Sequence, residues 1–82
     1  MKLIHNNRHT AAHDVLCAAA RSEAGIKAEG RTSHIRTRMY NLLEALKAEG
    51  YLDLKFDGPR GGARYHITDA GRAALDLAKI AA

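Results

Sequence analysis

The sequence predicts an α+β domain in which helices lead into a β-hairpin and a last helix closes the chain. Three observations predict it. Between Ile35 and Leu46 the apolar residues recur at the helical period, with Ile35, Met39, Leu42, Leu43 and Leu46 on one side. After Gly50 the period drops to two, so Leu52, Leu54 and Phe56 share one face of a strand, and Tyr65 and Ile67 reach the same core from a second strand. Between the strands, the run Asp57, Gly58, Pro59, Arg60, Gly61 and Gly62 continues neither and makes a turn.

The totals set bounds on that architecture. Eighty-two residues make one domain, 1–82, near the lower limit for a self-sufficient core. A net charge of +4 fits a polyanionic partner, although solubility alone also produces such a charge. Its distribution says more. Lys27, Arg31, Arg36 and Arg38 gather before and within the central helix, and Lys55, Arg60 and Arg64 gather around the hairpin. One cysteine, Cys17, leaves no intramolecular disulfide and suits a reducing compartment. No apolar run approaches membrane-spanning length, and MKLIHNNRH is too short in apolar residues for a secretory signal. The expected location is the cytoplasm.

Taken in order, Met1 to Asn7 ends in an Asn-Asn turn signal, with Leu3 and Ile4 available to dock on the core or on a partner chain. A first helix begins near Arg8 to Thr10 and runs to about Glu23, with Ala12, Val15, Leu16 and Ala19 as its buried stripe. The segment Ser22 to Arg31 supplies a short second helix, capped by Ser22 and stopped by Gly30, although Gly25 weakens it by roughly 1 kcal/mol relative to alanine. Thr32 or Ser33 caps the central helix, and Gly50 suits a left-handed stop. Thr68 caps a last helix from about Asp69 to Ile80, whose apolar side is Ala73, Ala74, Leu77 and Ile80, extended by Leu75 and Ala78.

The run MYNLLEALKAEGYL, the Gly/Arg-rich turn GPRGGARYHIT and the helix start TDAGRAAL resemble the C-terminal two-thirds of a winged helix-turn-helix domain. The style is that of the MarR and PadR transcriptional regulators of bacteria and phages, and the resemblance covers about Ser33 to Leu75. It implies a small winged helix-turn-helix: a three-helix core, a two-stranded wing and a C-terminal helix. It implies sequence-specific binding of double-stranded DNA by a small transcriptional regulator, acting as a homodimer on half-sites about one helical turn apart. The recognition helix is then about 33–49 and the wing about 51–67. The alternative is a protein-interaction module on the same fold, such as a phage accessory protein that binds a host protein, because fold does not fix function.

The residue types agree with the DNA reading. The polar front of the central helix carries Ser33, Thr37, Asn41 and Glu44, flanked by Arg36 and Tyr40 on one side and by His34 and Arg38 on the other. The major groove admits one helix, where Arg pairs bidentately with guanine and Asn with adenine. Ser33, His34, Thr37, Arg38 and Asn41 are therefore the candidate base readers. Arg31 and Arg36 are candidates for phosphates, which position a protein without reading sequence. Arg60 at the hairpin tip, with Lys55 and Arg64 on the flanking strands, is placed to reach backbone or minor groove.

Other chemistries find little footing. His5, His9, His13 and Cys17 recur every four residues, which is ligand spacing for zinc on a helix. The helix starts after His5, however, and a structural site usually pairs two chain segments, so no metal is expected. GPRGG lacks the Lys-Ser/Thr end of a phosphate-binding loop, and the carboxylates are scattered. Neither a catalytic site nor a cofactor is expected.

Overall fold

The computed structural model describes residues 2–56, 58 and 62–81, with backbone alone at 80 and 81. The order is β1 (Ile4–His5), β2 (Arg8–His9), α1 (Ala11–Arg21), α2 (Ser33–Ala48), β3 (Leu52–Phe56), β4 (Ala63–Ile67) and α3 (Asp69–Ala81). The fold is a small α+β arrangement of three helices and two antiparallel two-stranded sheets.

The chain opens with a hairpin that was expected only as a turn. Asn6 and Asn7 both hold positive φ, 51° and 62°, which is the backbone of a type I′ turn and matches the twist of paired strands. Ile4 pairs with His9 and His5 with Arg8. This takes up Arg8 and His9, so α1 starts at Ala11. Thr10 caps it by accepting from the His13 N–H at 3.3 Å while its hydroxyl donates to the Lys2 carbonyl.

Ser22 to Arg31 is not a helix. Gly25 takes φ +86°, a left-handed turn that ends any helical run. Ile26 then pairs with Tyr65 at the outer edge of β4, exchanging both backbone hydrogen bonds at 2.9 and 2.7 Å. Ile26 alone of the segment joins the sheet, as an isolated bridge whose two backbone groups are satisfied across it, and the described residues hold three helices where the resemblance implied a three-helix core plus a fourth.

The core lies where α1, α2, the β3–β4 hairpin and α3 meet. Leu16, Leu43 and Leu46 are fully enclosed, and Leu3, Ala12, Ala19, Leu52, Tyr65, Leu75 and Ala78 complete the cluster. Each enclosed leucine contributes about 1.5–3 kcal/mol relative to an exposed one. The β3–β4 register sets Leu52 opposite Ile67, Leu54 opposite Tyr65 and Phe56 opposite Ala63, so these pairs share one face. That stripe outruns the core, since Leu52 is buried and Phe56 is 72% exposed.

Two corners fix the hairpin. Gly50 has the expected left-handed φ of +83°, and the Tyr51 N–H closes the end of α2 on the Leu46 carbonyl. Thr68 accepts from the Gly71 N–H and donates to the Gly50 carbonyl at 2.6 Å, joining the start of α3 to the end of α2. The buried side of α3 is Gly71, Leu75 and Ala78, with Ala74 half-buried. Ala73 and Leu77, expected among the inward residues, face out, and the Ile80 side chain lies outside the described residues. Among the described residues no helix is long and apolar enough to cross a membrane.

Candidate nucleic-acid interface

The first turns of α2 stand clear of the body. Every residue from Arg31 to Arg38 is exposed, as are Tyr40 and Asn41, while the helix is anchored further on by Leu43 and Leu46. Even Ile35, on the apolar side, is 47% exposed. Thr32 caps the helix by accepting from the Ile35 N–H at 3.2 Å. The spacing therefore predicted the helix correctly but overstated how much of its apolar side is covered.

Electrostatics set this end of α2 apart. The first turns of α1 and α3 carry Asp14 and Asp69, whereas the first turn of α2 carries no acid. The positive end of the helix dipole is instead accompanied by Arg31, Arg36 and Arg38, an arrangement that costs the helix a few tenths of a kcal/mol and favours an anion. Among the described residues no carboxylate forms an ion pair with these three arginines. Arg36 donates to the Gly30 carbonyl at 2.9 Å, which steadies its guanidinium and leaves further N–H groups facing outward. Thr37 donates to the Ser33 carbonyl at 2.8 Å and keeps its acceptor lone pairs.

The acid nearest in sequence on the same helix is occupied elsewhere. Glu44 accepts from the Tyr65 hydroxyl and sits 3.7 Å from the Lys47 ammonium. The sequence placed Glu44 on the polar front, but the fold gives it to the hairpin.

The hairpin adds Lys55, which is exposed and lies opposite Arg64 in the β3–β4 ladder. Two cations directly opposite each other are mutually destabilising in water alone. Arg64 is half-buried and lines a cavity of about 320 Å³ with Ser22, Lys27, Glu29 and Met39. Arg60 lies outside the described residues. The structure thus brings Ser33, His34, Arg36, Thr37, Arg38 and Asn41 together on α2, with Arg31 just before its cap and Lys55 on the hairpin. Sequence reasoning set Phe56 on the core face and missed its exposed ring, while Tyr40, set on the flank of the polar front, is exposed as well. The position of Phe56 as the last residue of its strand was the available signal.

A groove of about 260 Å³ runs between α1 and α2, lined by Ala11, Val15, Ile35, Arg38, Met39 and Leu42. Of the histidines spaced by four, His9 and His13 stack face to face at 3.7 Å between centroids. Among the described residues no three His, Cys, Asp or Glu side chains gather as a metal site.

Comparison with protein-family models, with curated proteins and with solved structures finds no match to this chain.

Proposed function

We propose that the protein binds double-stranded DNA in a sequence-dependent way, as a small transcriptional regulator of winged-helix type. The observation that carries the reading is the exposed, acid-free N-terminal half of α2, with three arginines that no carboxylate of the described residues neutralises. A helix with these dimensions fits the major groove, with Arg38 and Asn41 toward base edges and Arg31 and Arg36 toward phosphates. Lys55 on the hairpin then meets the neighbouring backbone. Three phosphate contacts, by Arg31, Arg36 and Lys55, give a slope of log affinity against log salt of roughly −2.7.

Selection from random duplex DNA at two salt concentrations tests this, with the Arg36→Ala/Arg38→Ala double variant as control. The expected result is an enriched motif and a negative salt slope, with the motif lost and the slope reduced by about one in the control. A slope near zero defeats the reading.

A second reading, a protein-interaction module, draws support from the open groove between α1 and α2, which an apolar partner residue can fill. Capture of a protein partner that survives nuclease and high salt, together with no duplex binding, favours it.

A further inference from the structure

The chain holds three tyrosines, one phenylalanine and no tryptophan. Tyr65 is buried and Tyr51 half-buried, whereas Tyr40 is 46% and Phe56 72% exposed. The bond from Tyr65 to Glu44 locates both exposed rings. Tyr40 lies one turn back from Glu44, about 6 Å toward the N-terminus of α2, and its phenol is close enough to act on the Tyr65 hydroxyl electrostatically. Phe56 lies two residues past Leu54, the ladder partner of Tyr65, on the same face of the hairpin. That places it about 7 Å further from the Gly50 corner. Because the chain reverses at Gly50, the two steps lead the same way. α2 and the hairpin form the walls of a crease, with Tyr40 on one wall and Phe56 on the other.

The helix wall is also cationic. At the helical period Arg36, Tyr40 and Lys47 fall within about 40° of one another around α2, and all three are exposed. Arg36 is steadied by the Gly30 carbonyl and keeps further N–H groups for a ligand. Glu44 lies on the same wall, where it accepts from Tyr65 and sits 3.7 Å from the Lys47 ammonium. That ion pair is open to water on both sides, so it yields readily to a stronger anion.

We propose that this crease binds single-stranded nucleic acid, with unpaired bases stacked on Tyr40 and Phe56 and backbone phosphates on Arg36 and Lys47. Every base has a π-face and every link a negative charge, so aromatic rings set among cations match a single strand whatever its sequence. In a duplex each base is already stacked between its neighbours, and neither ring finds a free face. An apolar protein segment would cover the rings and leave the cations without a partner. Tyr40, Lys47 and Phe56 have no part in the duplex reading, which shares only Arg36 with the crease, so this is a further activity.

Fluorescence-anisotropy titration of the full chain tests it with labelled strands of about a dozen nucleotides. The probes are oligodeoxyuridylate, oligouridylate and a deoxyribose-phosphate strand that has no bases. All carry the same phosphates, so preference for a base-bearing strand reports stacking. Either uridylate is expected to bind tighter than the base-free strand, and the tighter of the two names the sugar. Tyr40→Ala and Phe56→Ala are each expected to weaken uridylate binding roughly 5- to 140-fold and to leave the base-free strand unaffected. The far-ultraviolet helix signal stays unchanged, since neither ring supports the core. Phe56→Trp is expected to keep the affinity and Phe56→Leu to lose it, because leucine is apolar without a π-face. Equal affinity for strands with and without bases overturns the inference. So does uridylate binding indifferent to both alanine variants, or a Phe56→Leu variant that binds as the wild type does. A labelled duplex titrated alongside separates the two activities. Base-dependent single-strand binding without duplex binding removes the regulator reading alone, and the converse removes the crease alone.

Discussion

The Tyr65 hydroxyl donates to the Glu44 carboxylate, so the middle of β4 is fastened to the C-terminal part of α2 across 21 residues of sequence. Tyr65 is simultaneously the residue that pairs with Ile26 at the other edge of β4. One buried side chain thus holds the hairpin, the 22–31 segment and the helix in fixed relation. The angle between α2 and the hairpin, on which simultaneous contact with one DNA surface depends, rests on this joint.

Tyr65→Phe keeps the buried ring and removes the hydroxyl. Glu44 is only half-buried and retains Lys47 and water, so the expected loss is about 1–2 kcal/mol rather than the larger cost of a sealed carboxylate. Urea unfolding of Tyr65→Phe, Glu44→Ala and the double variant measures it. The coupling between the two sites is expected to recover most of the single-variant loss; strictly additive losses would show that the bond carries no stability.

The same hydroxyl predicts behaviour in alkali. Burial, then the hydrogen bond to Glu44, then the charge of Glu44 raise the Tyr65 phenol well above its ordinary value of 10.0. Below pH 10 the folded and unfolded chains both keep the proton, and the group makes stability no more pH-dependent. Above it the unfolded chain releases the proton first, so stability falls as pH rises, by up to about 1.4 kcal/mol per pH unit from this group. Urea midpoints of wild type and Tyr65→Phe are expected to converge between pH 10 and 11. Parallel curves over that range would contradict the assignment.

Gly71 is expected to resist replacement. Alanine in its place gains about 1 kcal/mol of helix propensity, but the added Cβ would collide with the Tyr51 carbonyl oxygen and stand 2.8 Å from Ile67 Cγ1. That carbonyl cannot simply move, because it accepts from the Thr68 N–H at 3.0 Å. The collision outweighs the propensity, and Gly71→Ala is expected to lower stability by about 1–3 kcal/mol in a thermal or urea melt. Gly58→Ala makes a control for backbone strain without contact, since φ is +81° there and nothing lies within 4 Å.

What the sequence made legible was whatever depends on local period and punctuation. The α2 and hairpin boundaries follow from Leu43, Leu46, Gly50 and the alternation at Leu52 and Leu54, each of which acts within a few residues. The 22–31 segment was misread because its fate depends on Tyr65, forty residues away, whose free strand edge offers Ile26 better-satisfied backbone bonds than a glycine-broken helix does. The rotation of α3 was misread because alanine carries little directional signal: Ala73 and Ala78 look alike in sequence, and the close approach at Gly71 decides which side turns inward. The candidate site was legible as a set of residue types. The absence of an acid partner was not, because it depended on Tyr65 taking up Glu44.

The strongest discrimination between a folded polar surface and a DNA-reading one comes from His34. It occupies the first turn of α2, where a carboxylate would suit the helix dipole and a neutral or cationic side chain does not. His34→Glu is therefore expected to raise stability by about 0.3–1 kcal/mol while it weakens duplex binding, by placing an anion among Arg31, Arg36 and Arg38. Three further variants separate reading from gripping. Arg38→Ala and Asn41→Ala are expected to flatten preference among duplexes, each by about 1–3 kcal/mol of discrimination at one base pair. Arg36→Ala is expected to weaken all duplexes alike and to reduce the salt slope by about one. Melting curves set beside fluorescence-anisotropy titrations on matched and scrambled duplexes measure all four. If His34→Glu gains stability and leaves duplex affinity untouched, the acid-free end of α2 is a solvated surface and the nucleic-acid assignment fails with it.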